Sequence, residues 1–247
     1  MKFQIKLGHM LPVAAGLMVA LYGCAQLPFS TTPPADKPQV DGRITFNNAE
    51  PSNQLLLGIK RFDGANFQKL TNTTTTDTKG NYGFARLVDG KYQVFYDDQG
   101  EDVTDPTVNT VGVYNSEAVE IASASTPAAS ISFDVSWDFT PTIKPEGTFR
   151  VGGADTFGFK ALPAHSDAEY QILLADNDKK AVWSSNWVKT TSFTWNGKRG
   201  TAVAAPSTAY TGVGRHFYQI KFQKPGTTYG KEGYYGQTKW VPFFVTR

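Results

Sequence analysis

Four stretches of the chain alternate apolar and polar positions. In VDGRITF, Val40, Gly42, Ile44 and Phe46 share one face. In GKYQVFY the shared face is Tyr92, Val94 and Tyr96; in SISFDVSW it is Ile131, Phe133, Val135 and Trp137. HFYQIKF sets His216, Tyr218, Ile220 and Phe222 against Phe217, Gln219 and Lys221. A period of two over such lengths predicts half-buried strands. Shorter strand-like runs fill the C-terminal half at 156–162, 168–176, 181–195 and 240–245, and no 3.6-residue period follows residue 23. Turn dipeptides recur, with DG at 41–42, 63–64 and 89–90, KG at 79–80 and NG at 196–197. Many short strands between frequent turns predict an all-β chain of antiparallel sandwiches.

Breaks in the pattern give the organisation. TNTTTTDT (71–78) and ASASTPAAS (122–130) read as exposed loops. WDFTPTIKPEG (137–147) places two prolines between strand-like runs, and all five tryptophans lie at or after 137. These features predict two tandem β-sandwich domains, residues 39–137 and 148–247, joined by a linker at 138–147.

The N-terminus is different. Lys2 and Lys6 precede a 13-residue apolar run, Met10–Tyr22, with no acidic residue before 24. A spanning helix needs roughly 20 residues, so residues 1–23 read as a secretory signal peptide. Cys24 follows at once and is the one cysteine of the chain. Residues 24–38 are rich in Pro and Thr and read as a tether, which would span roughly 40 Å if extended at about 3.1 Å per residue. ALYGC resembles the lipobox of bacterial lipoproteins through Leu21, Gly23 and Cys24; Tyr22 departs from the small residue usual there. The resemblance implies cleavage before Cys24, lipid attachment on its sulfur and an extracytoplasmic, membrane-anchored protein. Stable anchoring takes more than one acyl chain, which fits further acylation of the new terminus. The other reading of Cys24 is a buried core cysteine. Ala25 and Gln26 follow, without the Asp that tends to retain such proteins at an inner membrane. In a host with two membranes this implies the outer membrane or the cell surface.

The chain has 24 basic and 22 acidic residues, and loss of Lys2 and Lys6 with the leader leaves 22 of each. No basic run stands out, so the electrostatic footprint of a nucleic-acid binder is missing. With Cys24 acylated no thiol remains for a disulfide, and stability rests on packing.

TDTKGNYGFARLVDGKYQV (76–94) carries Tyr82 and Phe84, then Tyr92 and Val94, as a hairpin-like pair of strands with its aromatic face inward. Through Thr76, Asp77, Gly80, Tyr82, Phe84, Leu87, Gly90, Tyr92 and Val94 it resembles the carboxypeptidase regulatory-like family and its prealbumin-like and collagen-adhesin B-type relatives. The V-x-G-x-I of Val40, Gly42 and Ile44 matches that family's first strand. The resemblance implies a seven-stranded Greek-key sandwich and a module that supports, spaces or binds. The same broad carbohydrate-binding-like fold includes starch-binding modules, but Tyr82, Phe84, Tyr92 and Phe133 have core spacing here. In the second half Phe157, Tyr170, Ile172, Leu174, Val182, Trp183, Ser184, Gly214, Tyr218 and Ile220 resemble fibronectin type III and immunoglobulin-like domains. Phe159 stands where that family often has Trp.

Catalytic chemistry has few carriers. After the leader only His165 and His216 remain. HSD at 165–167 cannot form a triad from adjacent residues, since triads converge from separate elements. There is no G-x-S-x-G, H-E-x-x-H, P-loop or G-x-G-x-x-G motif. A zinc site needs about three or four ligands. The expectation is no enzyme, no metal and no cofactor. DDQGEDVTD (97–105) reads as a solvated acidic loop, with calcium as the alternative.

The candidate ligand contacts lie in GTTYGKEGYYGQTKW (226–240), where Tyr229, Tyr234, Tyr235 and Trp240 alternate with glycines. Amphipathic aromatics on a loop make a ligand platform; the plainer reading is a hairpin folded back on the sandwich. Trp187 is expected to cover the core beside Trp183 and Trp195. Together these readings give a lipid-anchored, non-catalytic structural or protein-interaction module of the cell envelope. The alternative is a carbohydrate-binding surface lipoprotein using the 226–240 loop. Its partners would be the membrane, through the lipid, and an envelope protein or polysaccharide.

Overall fold

The alternating stretches resolve into strands, with no helix, among the residues described by the computed structural model: 37–98, 111–122, 129–137, 148–150, 155–198, 200–201 and 210–247. The first half supplies β1 (Val40–Thr45), β2 (Leu56–Phe62), β3 (Phe67–Thr75), β4 (Asn81–Phe84), β5 (Gly90–Asp97), β6 (Val111–Asn115), β7 (Val119–Ile121), β8 (Ala129–Ser130) and β9 (Phe133–Asp134). The second supplies β10 (Thr148–Arg150), β11 (Asp155–Gly158), β12 (Glu169–Ala175), β13 (Ala181–Ser184), β14 (Ser192–Trp195), β15 (Gly200–Thr201), β16 (Gly214–Gln223), β17 (Tyr235–Thr238) and β18 (Val241–Thr246). The leader, Cys24, the tether up to residue 36 and the linker at 138–147 lie outside the described residues.

In the first half β1 pairs with β4, β8 and β9, while β5 pairs with β2, β6 and β7. Tyr82 and Phe84 on β4 therefore face Tyr92 and Val94 from a different sheet. This corrects the hairpin-like pair expected from the sequence: the turn at Asp89-Gly90 crosses between sheets. The inward aromatic face holds, with Tyr82, Phe84, Tyr92 and Val94 all buried. A second correction concerns TNTTTTDT. Thr71–Thr75 belong to β3, which pairs with β2 and ends the sheet. Threonine is a good strand residue through its β-branch, and here it occupies an exposed edge.

The two halves meet along β17. This strand pairs antiparallel with β16 on one side and with β6 on the other. One sheet consequently runs β15-β13-β12-β16-β17-β6-β5-β2-β3. Strand β16 is central in it, and His216 through Ile220 are buried on both faces. The core is shared as well. Trp137 packs edge-on against Phe159 at 5.8 Å and against Phe222 at 5.6 Å, and its Nε1 donates to the Lys160 carbonyl at 2.8 Å. Tyr114 of β6 stacks on Phe133 at 4.3 Å and reaches Phe222 at 6.1 Å. Burial of such rings is the largest apolar contribution a side chain can make.

Gly236 makes the junction sterically open. It lies opposite Phe222 in β16 and Tyr114 in β6. A Cβ there would sit 2.2 Å from the Val113 carbonyl oxygen and 2.4 Å from the Phe222 ring. Overpacking of this kind costs about 1–3 kcal/mol. Gly236→Ala is therefore expected to lower the unfolding free energy measured in urea by that amount, with one transition reported alike by tryptophan fluorescence and by far-UV dichroism. Wild-type stability in the variant would mean that β17 does not hold the halves this closely.

Candidate functional site

Residues directly opposite one another in paired strands share a side of the sheet. Following the register across the junction gives one outer row of Gln223, Tyr235, Asn115, Phe95 and Gly58, and a second of Gln171, Lys221, Gln237, Val113 and Asp97. The inner side of the same strands is the core. Among the described residues the outer side has no second apolar layer, and it is polar, aromatic and positively charged.

Phe95 lies flat across β2, which requires Gly58: a Cβ there would meet the ring at 2.2 and 2.4 Å. Two ammonium groups use that ring, Lys69 at 4.8 Å and Lys60 at 5.3 Å from its centroid. Lys69 is also paired with Asp97 at 3.2 Å. Lys60 has no carboxylate partner among the described residues. Its Nζ donates to Asn115 Oδ1 at 2.5 Å and to the Tyr235 hydroxyl at 2.8 Å, and lies 5.2 Å from the Tyr235 centroid. Burial, with a contribution from the Lys69 charge and against the pull of Asp97, brings the Lys60 ammonium down to about 8.

The loop after β16 supplies the other wall. Gly226, Gly230 and Gly233 adopt positive φ and let it fold tightly. Tyr229 stacks on Trp187 with centroids 5.5 Å apart and meets Tyr235 edge-on at 5.1 Å. Its hydroxyl donates to Gln237 Oε1 at 3.1 Å, and Lys221 Nζ lies 5.2 Å from its ring centre. Trp187 is held in place by its neighbour Val188, whose backbone bridges Tyr170 at 2.7 and 3.0 Å. Lys221 makes no hydrogen bond or ion pair among the described residues, and burial lowers its pKa.

The same loop clasps the first half. Gln93 Nε2 donates to the carbonyls of Lys231 and Gly233 at 3.2 and 3.1 Å, and Lys91 pairs with Glu232 at 2.6 Å. Lys231 binds the Ala65 carbonyl at 3.2 Å and the Asn66 side chain, and Lys224 pairs with Glu117 at 2.9 Å. Four buried side-chain polar atoms lack a hydrogen-bond partner among the described residues. Three of them, Gln93 Oε1, Asn115 Nδ2 and Gln223 Oε1, belong to this outer face. Such atoms cost free energy and call for an explanation.

The four expected contact residues are thus separated. Tyr229 and Tyr235 are on the outer face, with Tyr235 only 7% exposed. Tyr234 is 3% exposed on the opposite side. It stacks on His165 at 3.5 Å and donates to Asp167 Oδ1 at 2.8 Å. Trp240 is half-buried beside β18. The loop is the folded-back hairpin, and it is also one wall of a face. Trp187, expected over the core, is partly exposed and stacks on the loop instead. Lys60, Phe95, Asn115 and Lys221 carried no signal in the sequence, because only strand register brings them together.

Both histidines are taken up by tyrosines. His165 Nε2 shares a 2.7 Å hydrogen bond with the Tyr114 hydroxyl. His216 Nε2 is hydrogen-bonded to the Tyr210 hydroxyl, and its Nδ1 lies 3.0 Å from the Gly214 carbonyl. In the acidic stretch, Asp97 and Asp98 pair with Lys69 and Lys239, at 3.2 and 2.9 Å; Glu101, Asp102 and Asp105 lie outside the described residues.

No protein-family model matches this chain, and no curated protein does. Three solved structures align with most of it. A DUF3823 family protein from Bacteroides uniformis is 9% identical, covering 85% of this chain and 100% of its own, at a TM-score of 0.26. A protein from the same species, named as a candidate carbohydrate binding protein, is 12% identical over 84% of this chain and 100% of its own, at 0.25. The BSP domain of a biofilm associated protein is 14% identical over 85% of this chain and 29% of its own, at 0.21.

His165 gives a pH signature. Burial lowers its pKa below 6.5, against the opposing charges of Asp167 and Glu117. The unfolded chain then takes up the proton first as pH falls, so this contribution is present above about 6.5 and is lost below it. Urea midpoints should fall from about pH 7 to pH 5, and His165→Phe, which keeps the stack, should flatten that part of the profile. An unchanged slope in the variant would remove His165 as its source.

Proposed function

We propose that this chain is a lipid-anchored module of the cell envelope that binds carbohydrate on the outer face of its shared sheet and performs no chemistry on it. The observation that carries the reading is the partly exposed Trp187–Tyr229 stack, set beside Gln171, Lys221 and Gln237. Sugar rings pair an apolar face with a rim of hydroxyls, and a site for them combines aromatic planes with a few placed polar groups. Amide side chains both donate and accept, as hydroxyls require. The lipobox-like ALYGC supplies the anchor through Cys24, and Ala25-Gln26 favours the outer membrane or cell surface over the inner membrane.

A second reading, a structural or protein-interaction module, is favoured by β3. This nine-residue edge strand is largely exposed, and among the described residues it pairs only with β2. An open edge of this kind accepts an added strand from a partner.

Two outcomes are expected. In the producing bacterium, wild-type protein should partition with membranes and carry the mass of its lipid, and Cys24→Ser should release it. Release of both forms alike would sink the anchor. On a glycan panel followed by tryptophan fluorescence, Trp187→Ala should bind about tenfold more weakly, the equivalent of about 1.4 kcal/mol, with an unchanged urea midpoint. A panel that never perturbs the wild-type signal would turn the reading to a protein partner at β3.

A further inference from the structure

We propose that the outer face selects an acidic saccharide, one whose sugar rings bear carboxylates, and that the ammonium groups of Lys60 and Lys221 recognise those carboxylates. This rests on the carbohydrate reading above and adds the class of sugar.

Lys60 and Lys221 are both half-buried, and neither has a carboxylate partner among the described residues. Removing an ammonium from water without pairing it is costly. Lys60 also stands directly opposite Lys69 across the β2–β3 ladder, and like charges so placed destabilise a sheet. The chain as a whole has nearly balanced charge, so this excess is local.

The neighbours of the two lysines make the pattern specific. Lys221 is flanked in register by Gln171 and Gln237. Lys60 faces Gln93 in register and donates to Asn115. All four are amides. A carboxylate of nearly the same size at any of them would neutralise the adjacent ammonium. The position of Asn115 is the clearest case, because its Oδ1 already accepts from Lys60 at 2.5 Å while its Nδ2 has no partner. An aspartate would keep the hydrogen bond and remove the stranded donor. Asn115 instead holds the lysine head in place without setting a charge against it. It acts as a positioning residue.

The two ammoniums are linked by a row of ring contacts. Lys221 lies 5.2 Å from the Tyr229 centroid, Tyr229 lies 5.1 Å from Tyr235, and Tyr235 lies 5.2 Å from Lys60. Trp187 extends the row beyond Tyr229. A ligand lying along it meets the partly exposed Trp187–Tyr229 aromatic surface and a cation on either side of the Tyr229–Tyr235 contact. Carboxylate-bearing sugar chains match both features. A neutral glycan would leave the lysines unpaired, and an acidic peptide would make little use of the ring faces.

The test uses the full chain carrying Cys24→Ser, with oligomers of galacturonate, mannuronate and glucuronate and the methyl ester of each. Binding is followed by tryptophan fluorescence and calorimetry. At least one acidic oligomer should bind saturably, more weakly as salt rises, and at least tenfold more tightly than its ester. Lys221→Gln and Asn115→Asp should each erase that preference. Asn115→Asp should do so while melting no lower than wild type, which separates lost recognition from lost folding. Equal binding of an acid and its ester would overturn the selection of charge and leave the carbohydrate reading standing. Equal competition by polyglutamate would overturn it by showing a face that reads charge without sugar. No binding of either form, with the neutral panel also silent, would remove the carbohydrate reading itself.

Discussion

Pairing of β17 with β16 on one side and β6 on the other brings the two halves to the spacing of neighbouring strands, about 4.8 Å. That distance leaves no room for a side chain, which would meet the Phe222 ring and the Val113 carbonyl, and the residue there is glycine. Everything at the junction depends on this approach. It lets Trp137, at the end of the first half, pack against Phe159, Tyr170 and Phe222 of the second. It also merges two sheets into one, so the outer face is wider than either half would present alone.

The merged sheet has unequal sides. Inward, rings interlock. Outward, the cover among the described residues is the loop between β16 and β17, and that loop is held by polar contacts to Gln93, Lys91, Ala65 and Asn66. Partial cover desolvates Lys60, and among the described residues amides rather than a paired carboxylate hold it, with Asp97 adding charge but no ion pair. Consistency between local choices and the global fold is the usual rule, and departures from it gather at functional sites. The two lysines without a carboxylate partner and the three stranded amide atoms, among the described residues, are such departures, and they share one face.

Adjacent residues of the loop serve opposite purposes. Tyr234 and Tyr235 are neighbours in the chain, yet the period of a strand sends one inward to His165 and Asp167 and the other outward to Lys60. The inner tyrosine ties the 163–168 turn to the core. The outer one belongs to the candidate site. His165, set between Tyr114 and Tyr234, couples that tie to pH because burial disfavours its charged form.

The sequence by itself determined that the chain is all-β, since a period of two in VDGRITF, GKYQVFY and HFYQIKF is compatible only with strands. It also determined which rings face inward in the first half, because Tyr82, Phe84, Tyr92 and Val94 follow that period. It did not reveal that β4 and β5 belong to different sheets, or that the threonine run forms an edge strand. Local pattern states that a strand exists and leaves its partner open. The candidate site was hardly legible for the same reason. Tyr229 and Tyr235 stood out as aromatics among glycines, but Lys60, Phe95, Asn115, Trp187 and Lys221 are far apart in the chain. Only the tertiary structure decided that they share a face, because strand order and register are set by long-range packing and by the one glycine that lets the two halves touch.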